Sequence, residues 1–135
     1  MELVKDLMTP DPFTVLPDAT VGDAAQLMET RRFRHVPVAD PDGRLVGLVS
    51  HRDLLRAAWQ HSTDGDLTPW RDAPISAAMS TELSTVQPSD PAGQAAREIL
   101  SSRRSCLPVV NAEGRIVGIL TEADFVRSYL RASLE

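Results

Sequence analysis

The chain has 135 residues, a formal net charge of −5 and 42% hydrophobic residues, which suits one compact module burying roughly two-thirds of its unfolded surface. The acidic balance argues against a general affinity for nucleic acid or anionic membrane, since both need a basic face. No apolar run approaches the roughly 20 residues that span a bilayer, MELVKDLM lacks the apolar stretch of a signal peptide, and the single cysteine, Cys106, precludes an internal disulfide, so the expected compartment is the cytoplasm.

In chain order, FTVLP reads as a short extended piece leading into an amphipathic helix. Thr20 and Asp23 are spaced for a capping pair, and Ala24, Leu27 and Met28 recur at helical spacing, facing inward. The apolar runs HVPVA and RLVGLVS follow, joined by DPDG, in which Pro41 presets a turn and Gly43 can take positive φ; together they predict a hairpin. A second helix begins at DLLRAAW. Residues 63–74, TDGDLTPWRDAP, form a polar connector. The order then recurs: LSTVQP, a helix capped by Asp90 and opened by Pro91 with Ala95, Ala96 and Ile99 inward, then CLPVV, NAEG, RIVGILT and a helix from DFVRSYL.

Sliding the chain by 71 positions lays 4–64 on 75–135 without a gap, and 17 of 61 pairs are identical, several times what chance gives. Two copies are too few for a solenoid, which needs about 3. The expected fold is therefore α+β, two intertwined β-α-β-β-α repeats sharing one core about a pseudo-twofold axis. The expected boundaries are 1–62 for the first repeat, 63–74 for the connector and 75–135 for the second repeat.

The most chemically loaded repeated words are GLVSHRD (47–53) and GILTEAD (118–124). Gly47 and Gly118 let a ligand or a neighbouring backbone approach the strand. Ser50 and Thr121 stand at a helix start, with Asp53 and Asp124 in the first turn. A carboxylate there can accept two hydrogen bonds from the paired hydroxyls of a ribose, and the positive end of the helix favours a nearby phosphate. The same Ser/Thr-x-x-Asp spacing is also an ordinary capping box, and the two roles can coexist in one residue.

Taken together, DLMTPD, TVLPDATVGDAAQLM and HVPVADPDGRLVGLVSHRDLL resemble a CBS domain, the module named after cystathionine β-synthase. AAMSTELSTVQPSDPAGQAAREIL and CLPVVNAEGRIVGILTEADFV resemble a second. The likeness covers essentially the whole chain, as a tandem pair or Bateman module. The resemblance implies two clefts that take an adenosine-containing small molecule, such as AMP, ADP, ATP or S-adenosylmethionine, as a regulatory ligand, with no cofactor required. It also implies a homodimer formed through helices and the regulation of a partner protein that the sequence does not identify. By resemblance, adenine is lined by Thr14, Val15, Ala24, Val36 and Pro37 in one copy, and by Thr85, Val86, Ala95, Leu107 and Pro108 in the other. Phosphate contacts fall to Arg34, His35 and Arg52.

The copies differ where phosphate would lie. Arg31, Arg32, Arg34, His35, His51 and Arg52 correspond to Ser102, Arg103, Ser105, Cys106, Glu122 and Ala123. Guanidinium suits phosphate and Glu122 repels it, so the Asp53 copy is expected to be the better nucleotide site. The competing reading makes the RRFR run a solvated helix end. His35, His51 and His61 lack metal-ligand spacing, no nucleophile motif or phosphate-binding glycine loop occurs, and Cys106 reads as a buried small residue. Trp59 and Trp70 are candidates to pack the connector. Phe125, Tyr129 and Leu130, with Leu54 and Leu55, are shared between core and dimer surface. The expectation is a regulatory nucleotide-binding module, not an enzyme, with no nucleic-acid or membrane partner; the alternative is a dimeric scaffold without ligand.

Overall fold

The structure is a computed structural model describing residues 2–60, 62, 66, 68–102 and 104–134; His61, Arg103 and connector positions 63–65 and 67 lie outside the described residues. The chain forms two compact units that cut across the repeat boundaries. A contiguous unit takes Phe13–Leu83, and a composite unit joins Met1–Pro12 to Ser84–Glu135. The segment that opens each repeat thus belongs with the body of the other.

In the contiguous unit, helix α2 (Val21–Arg31) precedes strands β2 (His35–Ala39) and β3 (Leu45–Ser50), and α3 (His51–Gln60) follows without a break. The capping box predicted at α2 is present: the Asp23 N–H donates to Thr20 Oγ1 at 3.1 Å and the Thr20 N–H to Asp23 Oδ2 at 2.9 Å. The helix ends at Arg32 in the left-handed conformation, φ 57°. β2 and β3 pair antiparallel from His35 opposite Ser50 to Ala39 opposite Leu45. Their turn is held by Asp40, whose Oδ1 accepts from the N–H groups of Asp42 and Arg44 at 2.9 Å each, while Gly43 takes φ 86°. Short 3-10 helices at Thr68–Asp72 and Ile75–Ala77 lead back over this body. There the Val21 N–H meets the Ala73 carbonyl, and Ser80 exchanges two backbone hydrogen bonds with Leu48.

The composite unit follows the same plan. Helix α1 (Val4–Leu7) and strand β1 (Thr9–Pro10) come from the chain start, followed by α4 (Ala92–Ser102), β4 (Cys106–Val110), β5 (Ile116–Thr121) and α5 (Glu122–Leu134). The sheet order is β1-β5-β4, all antiparallel. Asn111 holds the turn as Asp40 does, accepting from Glu113 and Arg115.

FTVLP and LSTVQP each contribute one parallel bridge, Val15 to Val38 and Val86 to Val109, rather than a ladder. Pro17 and Pro88, which have no N–H, follow closely and end the pairing. Asp90 also departs from expectation. Its carboxylate turns back to the Gln87 N–H at 2.8 Å, and α4 begins one residue later with Pro91 at its cap, its carbonyl taking the Gln94 N–H.

Each unit has its own core. In the contiguous unit Val21, Ala24, Met28, Val36, Val38, Val49 and Ile75 pack together, with Trp70 against them. In the composite unit Val4, Ala95, Ile99, Leu107, Val109 and Leu120 do so, with Phe125 against them. Each large aliphatic buried this way contributes about 1.5–3 kcal/mol. Trp59, Leu55, Tyr129 and Leu130 stay exposed, whereas Leu54 is core.

Candidate functional site

β3 runs directly into α3, so Ser50 is both the last strand residue and the helix cap. Its hydroxyl accepts the Asp53 N–H at 3.1 Å and donates to Asp53 Oδ2 at 2.9 Å, and its own N–H donates to the same oxygen at 2.8 Å. The His51 N–H goes to the Arg34 carbonyl at 2.9 Å. Most N–H groups of this first turn are therefore used within the chain, which leaves attraction for an anion chiefly to side chains. Those side chains are Arg34, His51 and Arg52, all exposed, with His35 half-buried beside them.

Asp53 Oδ2 is the capping oxygen. Oδ1 has only the Arg56 guanidinium at 3.4 Å, and the Asp53 side chain keeps 21% of its exposure. An exposed pair at that distance is worth only a few tenths of a kcal/mol, so Oδ1 remains available to a donor from solution. Burial pushes the His35 imidazole below its ordinary value, against the pull of Asp53; His51 and Arg34 add to the lowering. At neutral pH His35 is thus mostly an uncharged hydrogen-bonding group, and the fixed positive charge comes from the arginines.

The equivalent place in the composite unit is built alike and loaded differently. Asp124 Oδ2 accepts the Thr121 N–H at 2.8 Å and the Thr121 hydroxyl at 3.2 Å. Its Oδ1 accepts from Thr9 Oγ1 at 3.2 Å and from the Arg127 guanidinium. The residue is 2% exposed. Cys106 occupies the position of His35, and burial, helped by the Asp124 charge, pushes its thiol up to about 12.

The adenine-lining candidates sort by unit. Val15 donates its N–H to the Pro37 carbonyl and accepts from Ala39. Thr14 is exposed and Val15 half-buried, but Ala24, Val36 and Pro37 lie inside the core. Thr85 is likewise exposed, while Val86, Ala95, Leu107 and Pro108 are buried. Arg31 is placed over an aromatic ring instead: its guanidinium lies 4.6 Å from the centre of the Phe13 ring, which also meets Phe33. Thr9, Arg56 and Arg127 were not anticipated from the sequence. Arg56 and Arg127 coincide under the 71-residue shift, three positions after each aspartate, and that signal could have found them. Nothing in the sequence brings Thr9 to Asp124.

Among the described residues no group of three His, Cys, Asp or Glu side chains could hold a metal ion, and no helix is long and apolar enough to cross a membrane.

The family profile of the CBS domain matches residues 4–60 and 75–131. The structure is similar to the CBS-pair protein CBSX2 from Arabidopsis thaliana, with 33% identity, a TM-score of 0.83, and coverage of 98% of this chain and 97% of that one. CBSX2 in complex with AMP aligns with a TM-score of 0.85 at 31% identity, covering 98% and 99%. The CBS domain pair of protein MJ0100, in complex with 5′-methylthioadenosine and S-adenosyl-L-methionine, gives 0.83 at 26% identity, covering 95% and 99%. A CBS domain-containing protein of Dictyostelium discoideum is 29% identical over 92% of this chain and 88% of its own length. Other curated relatives are much longer: the chain spans 23% of a homoserine O-acetyltransferase from Methanohalobium evestigatum, to which it is 27% identical. With both halves matched, the chain belongs to the CBS-domain family as a tandem pair.

Proposed function

We propose that the chain is a regulatory module that binds an adenosine-containing ligand, AMP, ADP, ATP or S-adenosylmethionine, and conveys its occupancy to a partner protein. The observation that carries this reading is Asp53: one carboxylate oxygen accepts from Ser50 at the start of α3, the other has only Arg56, and the side chain keeps 21% of its exposure. Asp53, His51 and Arg34 all act electrostatically on the half-buried His35, and exposed Arg52 precedes Asp53 in the chain. A ribose hydroxyl donates to the open position on Oδ1, the phosphates meet the arginines, and Thr14 and Val15 border the base. Charge-assisted contacts of this kind are roughly twice as strong as neutral ones. The ligands of CBSX2 and of the MJ0100 pair share that adenosine.

The role is regulatory rather than catalytic. A ligand shifts a partner's state only through its differential affinity for two arrangements of the module. Exposed Leu55 and Trp59 on α3, and Tyr129 and Leu130 on α5, are the proposed contacts to a second copy, and the proposed compartment is the cytoplasm.

A thermal-shift panel of AMP, ADP, ATP, NAD and S-adenosylmethionine tests the reading. A ligand at 100 times its dissociation constant stabilises the fold by about 2.7 kcal/mol, a clear rise in melting temperature. No shift with any of the five leaves the ligand-free scaffold instead.

A further inference from the structure

The two aspartates of the repeated motif differ in what already holds them. A carboxylate offers about four lone-pair positions. Asp124 has four donors on it: the Thr121 N–H, the Thr121 hydroxyl, the Thr9 hydroxyl and the Arg127 guanidinium. On Asp53 the Ser50 N–H and hydroxyl share Oδ2, and Oδ1 has Arg56 alone. Arg56 and Arg127 are equivalent by the repeat, so the additional donor is Thr9. Ser80, its counterpart, makes no side-chain hydrogen bond to Asp53 among the described residues.

Thr9 is firmly placed. It pairs with Ile119 and Pro10 with Gly118 along β5, the Asp11 N–H reaches the Val117 carbonyl at 3.1 Å, and Met8 packs on Gly118. These four contacts, at consecutive positions 8–11, hold the segment whose hydroxyl donates to Oδ1.

We infer that Thr9 closes the Asp124 carboxylate to an incoming diol, so that the chain's own N-terminal segment makes Asp53 the dominant adenosine position. This rests on the adenosine reading above. A diol arriving at Asp124 exchanges one hydroxyl partner for another, gains little from the exchange, and still loses its own freedom. The lost charge-assisted bond corresponds to about a ten- to hundredfold weaker site. Thr9 acts as a positioning residue: it need not touch the ligand to determine which aspartate does.

The test is calorimetric titration of the full chain with 5′-methylthioadenosine, whose uncharged 5′ end removes any contribution from Glu122 repelling phosphate. Thr9→Val, which keeps the shape and removes the hydroxyl, is expected to take up one more molecule per chain than the wild type, or to strengthen its weaker site about tenfold or more. Thr9→Ser keeps the hydroxyl and is expected to bind like the wild type. Adding Asp124→Asn to Thr9→Val should abolish the gain. A folded Thr9→Val that binds like the wild type overturns the inference, as do two equal sites in the wild type, and the latter result decides alone if Thr9→Val does not fold. Either outcome leaves the adenosine reading standing; that reading fails separately, if no ligand of the thermal panel stabilises the wild type.

Discussion

Met79 lies against Gly47 so closely that a Cβ on the glycine would stand 2.6 Å from its sulfur and 3.1 Å from its Cγ. Met8 repeats the arrangement at Gly118, at 2.5 Å from Sδ. The glycine of the repeated motif is therefore matched by a thioether from the segment that opens the other repeat. Gly47→Ala forces Met79 out of a filled position and should cost about 1–3 kcal/mol, the usual range for overpacking. Urea denaturation of Gly47→Ala measured alone and with Met79→Ala checks it. The glycine substitution should cost less in the second background, and an equal cost in both would place the strain elsewhere.

Arg32 ends α2 with φ 57°, a conformation that costs a non-glycine residue about 1–2 kcal/mol. Arg32→Gly removes that penalty but adds freedom to the unfolded chain. The expected net is a stabilisation of about 0.5–1 kcal/mol, read as a higher denaturation midpoint with an unchanged slope.

The two aspartates should differ in structural weight. Asp53→Ala keeps the Ser50 cap, removes the carboxylate half of its capping box and costs about 1 kcal/mol. Asp124→Ala removes a cap and also deprives Thr9 and Arg127 of their shared acceptor, for about 2–3 kcal/mol. Paired urea denaturation curves should therefore place Asp124→Ala clearly below Asp53→Ala, and equal losses would contradict the difference in their surroundings.

Stability should decline at both ends of the pH range. Burial holds His35 below its ordinary 6.5, so in acid the unfolded chain takes up a proton that the folded chain refuses, and stability falls as the pH drops below about 6.5. Cys106 is raised from 9.0 to about 12. Above pH 9 the unfolded thiol ionises first and stability falls again, by at most about 1.4 kcal/mol per pH unit. Denaturation midpoints of wild type against His35→Gln and Cys106→Ala across pH 5–11 isolate each limb. Each variant should flatten its own limb and leave the other.

The sequence carried the local structure well, because each feature is written in a few adjacent residues. Thr20 with Asp23, DPDG with its positive-φ glycine, and the inward spacing of Ala24 and Met28 all appear as read. What it hid is non-local. The Thr9–Asp124 bond spans 115 positions, and Met79 on Gly47 arises from segments whose pairing no periodicity encodes. The same limit applied to FTVLP and LSTVQP, read as the short extended pieces that open each repeat, which make a single bridge each. At the candidate site the residue types were legible, but the unequal occupation of Asp53 and Asp124 was not, since it depends on a hydroxyl delivered from the chain start.

The most direct measurement is calorimetric titration of AMP into the wild type, Asp53→Asn and Asp124→Asn. The account predicts saturable binding to the wild type, at least a tenfold loss with Asp53→Asn, and little change with Asp124→Asn. Undiminished binding by a folded Asp53→Asn would contradict it.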